Sequence, residues 1–323
     1  MPIELVQLAT PDNFSEDRYL AANPDVAAAV GGGRIGSGYD HFLTHGQKEH
    51  RRQFAPAPEL EAARRRKRER LQSLLDFSMP HVEYGNVYDF LTEELGARAG
   101  VTETSNVSAH DYDPDLLAML DRHADGIALD VGAGSRNTYF ENVVNFEIVA
   151  YRSTDVLGVG EALPFRDSSF DVAISVAVLE HVRDPFRCAS EIARVLKPGG
   201  ELFCCVPFLQ PLHGYPHHYY NMTHEGLLQL FEQEIEVVRH YVPASTSPIF
   251  SLSWILNSWA RALPRDVRAS FESMSVRDLM REPTELCTQP FCKALPESAL
   301  FELASATVLQ GMKKESRPVR EGN

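Results

Sequence analysis

Short apolar runs alternate with amphipathic segments through the middle of the chain. The runs predict strands over residues 127–131, 143–146, 170–175 and 201–206. Amphipathic helices are predicted over residues 115–123 and 185–196. Strands that alternate with helices at this spacing indicate a parallel, doubly wound α/β sheet, whose ligands bind at the carboxyl ends of the strands.

Two helical patterns come before this region. Residues 14–54 contain a helix start at Asn23-Pro24-Asp25 and a glycine-rich turn, and they predict a compact helical module. Residues 59–76 predict one helix with the basic run RRRKRER at residues 64–70. This run indicates either contact with an anionic membrane, partner or nucleic acid, or a solvated helix partly paired with Glu61 and Glu69, which we favour. Residues 77–110 are predicted to cap a pocket.

Composition narrows the class of protein. A chain of 323 residues predicts two folded units. The net charge of −14 argues against nonspecific binding of nucleic acid by the whole surface. The apolar runs are far shorter than the roughly 20 residues that span a bilayer, and the N-terminus lacks the pattern of a secretion signal. The five cysteines show no Cys-x-x-Cys pairs, which predicts a reducing, cytoplasmic compartment and no zinc site.

An acid and a glycine turn follow the first strand of the predicted sheet. Asp130 precedes Gly132 and Gly134, and Glu147 ends the next apolar run, 17 residues after Asp130. Nucleotide sites place a ribose-binding acid roughly 20 residues after such a turn, because one carboxylate accepts both ribose hydroxyls. A nicotinamide dehydrogenase would share these features, but Asn137 stands where its third glycine is expected.

A family resemblance rests on an ordered set of motifs. The set consists of LDVGAG (residues 129–134), Glu147, EALPFRDSSFDVAISVAVLEHVRDP (residues 161–185) and EIARVLKPGGELFCCVP (residues 191–207). It closely resembles the class I methyltransferases that use S-adenosylmethionine, over residues 112–245. The looser match of residues 207–231 resembles the branch found in polysaccharide and surface-glycan biosynthesis. YLAANPDVAAAV and YDHFLTHGQKEHRRQF resemble a short helical accessory module found beside bacterial glycosyltransferases and methyltransferases of surface-glycan loci.

The resemblance implies a cofactor site for S-adenosyl-L-methionine. Its implied residues are Asp130, Gly132, Ala133 and Gly134 for the methionine end, Glu147 for the ribose, and Glu161, Ala162 and Leu163 for the adenine. Four positions depart from the family pattern: Arg136 replaces a third glycine, Val159 replaces an Asp beside the adenine, and His218 and Asn221 replace an Asp and an Arg in the later motif. The family's fold implies seven strands, the last two over residues 234–242 and 302–313.

Methyl transfer to a sugar hydroxyl needs a base, and histidine suits this role near neutral pH. The catalytic candidates are His181, which follows the predicted strand at residues 170–175, and His217 and His218, which follow the predicted strand at residues 201–206. Tyr219 and Tyr220 are candidate platforms for a sugar ring. Each of these residues also has an interpretation as an ordinary loop residue. A metal held by His213, His217 and His218 is disfavoured, since Gly214 and Pro216 disfavour the helix that would align them.

These observations predict an α/β, Rossmann-like seven-stranded methyltransferase sheet, with a small N-terminal helical module and a helical insertion before the last strand. The predicted divisions are residues 1–55 (helical module), 56–110 (linker helix and capping segment) and 111–323 (methyltransferase domain, with the insertion at about 246–296). The predicted activity is methylation of oxygen on a sugar or glycan precursor by in-line displacement.

Two alternatives stay open beside this activity: a small-molecule or lipid methyltransferase of secondary metabolism, and a non-catalytic scaffold in glycan assembly. The predicted partners are a small-molecule or glycan acceptor and no specific nucleic acid. Peripheral contact with a membrane and formation of a homodimer also stay open, because the insertion carries an apolar helical face that includes Trp254 and Trp259. Packing as a lid or a dimer contact is favoured for that face.

Overall fold

The computed structural model describes residues 2–102, 111–214, 217–310 and 312. The chain divides into two compact units: Met1–Phe208 with Gly214–Tyr241, and Leu209–His213 with Val242–Asn323.

Among the described residues, the first unit contains all the strands. They are β1 Ile3–Glu4, β2 Val6–Leu8, β3 Arg52–Phe54, β4 Val82–Tyr84, β5 Val87–Asp89, β6 Ala128–Val131, β7 Thr138–Tyr139, β8 Val143–Glu147, β9 Val156–Leu157, β10 Phe170–Val176 and β11 Leu196–Cys205. Its helices are α1 Glu16–Ala22, α2 Pro24–Gly31, α3 Gly38–His41, the π-helical turn Phe42–Gly46, α4 Leu60–Leu74, α5 Glu93–Ala99, α6 Pro114–Arg122, α7 Pro185–Val195 and α8 His224–Phe231.

The main sheet has seven strands in the order β11-β10-β6-β8-β9-β5-β4. All neighbours are parallel except β4 and β5, which form an antiparallel hairpin. The predicted α/β, seven-stranded fold class is therefore confirmed. Strand β6 lies at the centre and is buried along its whole length, and hydrophobic clusters cover both faces of the sheet. Burial on both faces explains why these strands are continuous apolar runs.

Three of the seven strands, β4, β5 and β9, have no counterpart among the predicted strands. The hairpin β4–β5 comes from the segment that was expected only to cap a pocket. Residues 234–242 form no strand, and neither do residues 302–310 and 312; residues 103–110, 311 and 313 lie outside the described part. Val238 and Val308 are each 95% exposed, and most other residues of the two segments are exposed as well. An apolar pattern needs a pairing partner before it becomes a strand, and β11 pairs only with β10 among the described residues.

The N-terminal helices pack with three short strands that were not predicted. Strand β1 pairs antiparallel with β7, and β2 pairs antiparallel with β3. A small core formed by Tyr19, Val26, Phe42 and Ala9 holds helices α1 to α3 together. The Arg152 guanidinium donates hydrogen bonds to the carbonyls of Leu5 (2.7 Å) and Ala55 (3.1 Å), which ties this module to the main sheet.

Helix α4 buries one of its charges, in contrast to the solvated helix that was favoured. Lys67 lies on the same face as the buried residues Leu60, Ala63 and Leu71. Its ammonium is 2.8 Å from Asp155 Oδ2 and donates to the Val143 carbonyl at 2.6 Å. It also lies over the ring of Tyr139. Burial lowers the pKa of Lys67 to about 8, although the Asp155 carboxylate acts in the other direction. The spacing of i, i+3 and i+4 positions decides which charge is buried.

Three further arginines of the basic run bind groups elsewhere in the first unit. Arg66 forms an ion pair with Glu141 at 2.6 Å, Arg68 forms one with Glu83, and Arg70 donates to the Gly126 carbonyl at 2.9 Å. The expected pairing with Glu61 is present, at 3.7 Å from Arg64. Contact of this helix with a membrane or a partner stays a prediction.

The second unit is helical. It contains the 3₁₀ turn Ala244–Thr246 and helices α9 Pro248–Ala262, α10 Arg265–Glu272, α11 Val276–Leu279, α12 Pro283–Leu286, α13 Pro290–Lys293 and α14 Glu297–Leu303. Leu263, Phe271, Leu286 and Phe291 form its core, and Trp259 Nε1 donates to the Phe291 carbonyl at 2.8 Å. Within the described ranges of both units, every helix is too short or too polar to cross a membrane.

The buried Lys67–Asp155 pair predicts a large effect on stability. Lys67→Ala leaves the Asp155 carboxylate buried without its cation, so the free energy of unfolding should fall by about 3–5 kcal/mol. Urea unfolding followed by circular dichroism measures this loss. Arg65→Ala, two residues before Lys67 on the exposed side of the helix, should change the free energy of unfolding by less than about 0.5 kcal/mol. Equal effects of the two substitutions would contradict a structural role for the pair.

Candidate functional site

Four parallel strands of the main sheet end at one edge, and the predicted site residues lie there. Asp130 pairs in register with Asn145 of β8 and Ile174 of β10. Glu147 is the last residue of β8, Glu161 follows β9, and His181 follows β10. These four residues therefore lie at the carboxyl ends of the strands, as predicted, whereas the KPGG motif at residues 197–200 lies in the first part of β11, at the opposite end.

The glycine turn after β6 approaches its neighbours too closely for a side chain. Gly132 has a φ of +71°, and a Cβ atom there would lie 2.4 Å from a methyl carbon of Val178. Gly134 also has a positive φ, +68°. The N–H groups of Gly132 and Ala133 both donate to the Phe146 carbonyl, at 2.9 and 3.1 Å. Backbone hydrogen bonds therefore hold the turn against β8. The positive φ angles at Gly132 and Gly134 are conformations that favour glycine.

A buried ion pair lies directly behind the turn. Arg136 Nε and one terminal nitrogen donate to Asp130 Oδ2 at 3.1 and 2.6 Å. The Tyr112 hydroxyl donates to the same oxygen at 2.6 Å, and the guanidinium lies 4.3 Å from the centre of the Tyr112 ring. Asp130 Oδ1 is buried and has no hydrogen-bond partner among the described residues. One oxygen of Asp130 is thus saturated, and the other is an unused acceptor.

Glu147 is oriented by the backbone on both sides. The Gly134 N–H donates to its Oε1 at 2.8 Å, and the Ile148 N–H donates to its Oε2 at 2.6 Å. Burial raises the pKa of the Glu147 carboxyl, while these backbone donors act in the opposite direction. Each carboxylate oxygen has a second lone pair left for a ligand hydroxyl.

The turn after β9 forms one wall of a cavity of about 160 Å³. Val159 and Glu161 line it from the turn, Leu95 and Ala99 line it from α5, and Arg187 lies at its rim. Val159 pairs with Ala162 through an isolated bridge, which closes the turn. The Leu163 side chain belongs to the hydrophobic core, and its N–H donates to Glu191 Oε2 at 2.9 Å while its carbonyl accepts from Arg194 at 3.0 Å. Binding of adenine by Glu161, Ala162 and Leu163 stays a prediction.

His181 is fixed by the loop that follows β11. Its Nδ1 is 2.6 Å from the His217 carbonyl, and because a carbonyl only accepts, Nδ1 carries the proton. A Cβ atom on Gly214 would lie 2.2 Å from the His181 ring, so the ring packs on bare backbone. Glu180, the preceding residue, is fully buried, and its Oε1 is 3.7 Å from His181 Nε2.

The three candidate bases do not all converge. The His218 ring contacts the His181 ring edge to face, with the ring centres 5.5 Å apart. His217 turns away, and its Nε2 lies 3.1 Å from the Gly100 carbonyl at the end of α5. The structure therefore brings His181 and His218 together and uses His217 to join the loop to α5. The catalytic role of each histidine stays a prediction.

Several residues of this edge were not predicted as site residues. Arg183 Nε donates to the Tyr219 hydroxyl at 3.1 Å, and the Tyr220 hydroxyl donates to the Arg183 carbonyl at 3.1 Å. Tyr112 comes from a segment that carried no motif. Glu180 belongs to the Glu-His pair of the motif at residues 161–185, but nothing in the sequence indicates that its side chain is fully buried.

Comparison with known proteins agrees with this geometry. A family model described as a methyltransferase domain matches residues 91–204, which include β6, β8, β9, β10 and nearly all of β11. Residues 91–204 are therefore similar to a methyltransferase domain. The matched range contains Asp130, Glu147 and His181, and it does not include the N-terminal module or the second unit.

Curated relatives match the chain over short stretches. A Mycobacterium sp. (strain JLS) protein named as an uncharacterized methyltransferase is 54% identical over 41 residues, which cover 13% of this chain and 16% of the relative. A Mycobacterium avium (strain 104) protein with the same name is 43% identical over 53 residues, covering 16% and 21%. The chain therefore spans about a sixth to a fifth of the length of these relatives.

Solved structures give weaker likenesses. A methyltransferase from Methanosarcina mazei is 21% identical, with 43% of this chain and 93% of that chain covered and a TM-score of 0.30. Phosphoethanolamine N-methyltransferase 2 from Haemonchus contortus is 18% identical, with 50% and 45% covered and a TM-score of 0.31.

The burial of Glu180, which lies within the matched range, predicts a stability that depends on pH. Burial raises the pKa of its carboxyl to about 8. Between roughly pH 4.3 and pH 8 the folded chain holds a proton here that the unfolded chain releases, so stability from this group is lost as pH rises. Glu180→Gln removes that loss. The difference in free energy of unfolding between the Glu180→Gln variant and the wild type should therefore change in favour of the variant, by on the order of a few kcal/mol from pH 5 to pH 9.

Urea unfolding at the two pH values measures this difference. Glu225→Gln makes the same chemical change on the exposed face of α8 and should show no such trend. A Glu180→Gln difference that stays constant with pH would show that the carboxyl is already ionised in the folded chain.

Proposed function

We propose that the chain is an S-adenosylmethionine-dependent methyltransferase. The observation that carries the proposal is Glu147, whose two oxygens are aimed by the N–H groups of Gly134 and Ile148 at the carboxyl end of β8. A carboxylate held in this way beside a glycine turn suits a ribose with two adjacent hydroxyls. The match of residues 91–204 to a methyltransferase domain supports the same cofactor.

The donor set at this edge fits that cofactor. The buried and unpartnered Oδ1 of Asp130 is an acceptor for the ammonium of the methionine part. Arg136, within the same cluster, offers a cation to the methionine carboxylate if it moves from Asp130. The cavity between α5 and the turn after β9 offers apolar contact to the adenine through Leu95, Ala99 and Val159.

The cofactor, when bound, supplies an activated methyl group on a sulfonium with a neutral thioether as leaving group. The work left to the protein is to hold the acceptor oxygen in line with that methyl group and to accept its proton. His181 suits the role of proton acceptor. Its Nδ1–H donates to the His217 carbonyl, so Nε2 is the basic nitrogen of the ring. His218 contacts the same ring and is the second candidate.

We further propose that the acceptor is a hydroxyl of a sugar or glycan precursor. Tyr219 and Tyr220 are exposed beside His181 and offer flat faces on which a sugar ring stacks. The resemblance of the N-terminal module to modules of surface-glycan loci supports the same class. The acceptor is a small molecule or a glycan rather than a nucleic acid, in agreement with the net charge of −14.

One observation favours a second function, a non-catalytic scaffold. Asp130 Oδ2 already binds Arg136 and Tyr112, which occupies part of the place for the methionine end. A scaffold would keep this pair closed, whereas an enzyme must open it for the cofactor.

Substitution of the ribose acid tests cofactor binding. Glu147→Gln replaces an ionised acceptor by an amide and should weaken binding of S-adenosylmethionine and S-adenosylhomocysteine by about 10- to 100-fold, because hydrogen bonds to charged groups are worth about 1.5–3 kcal/mol. Isothermal titration calorimetry measures both ligands. Glu141→Gln, just before the opposite end of β8, is the matched control and should bind normally. A well-folded wild type that binds neither ligand would rule out the proposed function.

The acceptor is tested in cells. Comparison of glycan and lipid extracts by mass spectrometry, with and without the protein, should reveal one glycan or sugar precursor that gains the mass of a methyl group. The Glu147→Gln variant should fail to restore that product. A methylated lipid or unrelated small molecule instead would correct the acceptor class, and normal restoration by Glu147→Gln would favour the scaffold.

A further inference from the structure

Three arginines line the cavity between α5 and the turn after β9. Arg98 lies in the last turn of α5, Arg183 precedes α7, and Arg187 lies in the first turn of α7. Within the described part of the chain, no carboxylate forms an ion pair with any of the three guanidinium groups. The chain has 45 acidic residues and only 31 Lys and Arg, so a group of cations without acids needs an explanation.

The two acids that line the same cavity bind the main chain. Glu161 Oε1 accepts the backbone N–H of Arg183 at 3.2 Å. Asp184 Oδ1 accepts the backbone N–H of Arg187 at 3.0 Å and so caps the N-terminus of α7. With three arginines and two acids in its walls, the cavity carries an excess of positive side chains.

Neutral oxygen atoms hold the Arg183 guanidinium in place. Its Nε donates to the Tyr219 hydroxyl at 3.1 Å, and its Nη1 donates to the Arg98 carbonyl at 3.1 Å. The group also packs on Gly100, where a Cβ atom would lie 2.7 Å from Arg183 Nε. These partners fix the guanidinium without neutralising its charge, so the cost of ordering this side chain is met before a ligand binds.

The other two guanidinium groups also keep N–H donors available. Arg187 Nε donates to the Glu161 carbonyl at 2.7 Å, which leaves its two terminal nitrogens for a ligand. Among the described residues, the Arg98 side chain forms no hydrogen bond. The paired N–H groups of arginine match two oxygens of a phosphate, which binds arginine more strongly than a neutral acceptor does.

The arginines adjoin the proposed sugar platforms. The Tyr219 hydroxyl accepts from Arg183, and the Tyr220 hydroxyl donates to the Arg183 carbonyl at 3.1 Å. The Glu180 carbonyl, beside the proposed base His181, accepts the Tyr219 N–H at 2.7 Å. One network of hydrogen bonds therefore connects the cations, the exposed tyrosine rings and the histidine.

We propose that the acceptor carries a phosphate group, and that Arg98, Arg183 and Arg187 bind it while the sugar ring lies on Tyr219. The inference deepens the proposed methyl transfer to a sugar hydroxyl and rests on it. A protein with a net charge of −14 repels anions at long range, so a phosphorylated substrate needs local cations of this kind. Nucleotide sugars and lipid-linked sugars share this chemistry, because both join a sugar to phosphate.

Isothermal titration calorimetry of the full chain tests the site without turnover. The chain is first saturated with S-adenosylhomocysteine, so that the cofactor site is closed to the probes. The probes are the 1-phosphates of glucose, galactose and mannose, and the neutral methyl glycosides of the same sugars. At least one hexose phosphate should bind about 10-fold or more tightly than its methyl glycoside. The difference should shrink as the salt concentration rises.

Substitution of the arginines locates the bound phosphate. Arg187→Gln and Arg98→Gln should each weaken binding of the hexose phosphate by about 10-fold. Arg98→Gln removes no internal hydrogen bond of the described residues, so its loss of binding cannot arise from a disturbed fold. Arg187→Lys keeps the charge without the paired N–H groups and should bind with intermediate affinity. Arg65→Gln, on the exposed side of α4, is the matched control and should bind as the wild type does.

Three results would overturn the inference. The first is the absence of binding by all three hexose phosphates. The second is equal affinity in the wild type, Arg98→Gln and Arg187→Gln. The third is inorganic phosphate that binds as tightly as the best hexose phosphate, because the sugar would then contribute no contact.

Binding of S-adenosylhomocysteine in the first step separates this inference from the proposed function. Normal binding of that ligand without binding of a hexose phosphate removes the phosphate site and leaves the methyltransferase intact. Binding of a hexose phosphate to a chain that does not bind S-adenosylhomocysteine keeps the site and removes the proposed function.

Two larger probes distinguish the sources of the phosphate. One is the uridine diphosphate ester of the hexose that binds best, and the other is its diphosphate ester with a long-chain alcohol, in detergent micelles. Tighter binding of the first than of the hexose phosphate supports a nucleotide sugar, and tighter binding of the second supports a lipid-linked sugar. A loss of binding with both esters would contradict an acceptor of this class.

Discussion

The pairing of β6 with β8 is the constraint on which the candidate site depends. The parallel register aligns Asp130 with Asn145 and brings the end of β6 beside the end of β8. The turn after β6 then donates two N–H groups to Phe146 and a third, from Gly134, to Glu147. The acid proposed for the ribose and the turn proposed for the methionine end are thus parts of one hydrogen-bonded structure, and neither can shift alone.

The N-terminal part of the chain supports this edge. The N–H groups of Leu5 and Val6 donate to the carbonyl of Asn137, which follows the turn, at 2.7 and 3.3 Å. From the other side, Asp155 accepts from the Asn145 N–H at 2.9 Å and holds the buried Lys67 of α4. A module that resembles an accessory in sequence is therefore also a structural support of the proposed cofactor site.

Prediction from sequence succeeded where a pattern was local and failed where a partner was distant. The central strands and the ends at which Asp130, Glu147 and His181 lie follow from apolar runs broken by glycine or acid. Strands of two or three residues, such as β1 and β4, have no period to detect, and their pairing is fixed by remote segments. The contact between Asp130 and Arg136 depends on the path of the turn, so spacing alone gave Arg136 only as a departure. The same limit hid the burial of Lys67 within a basic run.

A crystal structure of the full chain with S-adenosylhomocysteine tests the central claim most directly. The account predicts that both ribose hydroxyls lie within hydrogen-bond distance of the Glu147 carboxylate, that the ammonium group contacts Asp130 Oδ1, and that Arg136 has left Oδ2 for the ligand carboxylate. The adenine should lie against Val159 and Leu95. A ligand bound elsewhere, or bound here with the Asp130–Arg136 pair closed and Glu147 without a contact, would contradict it.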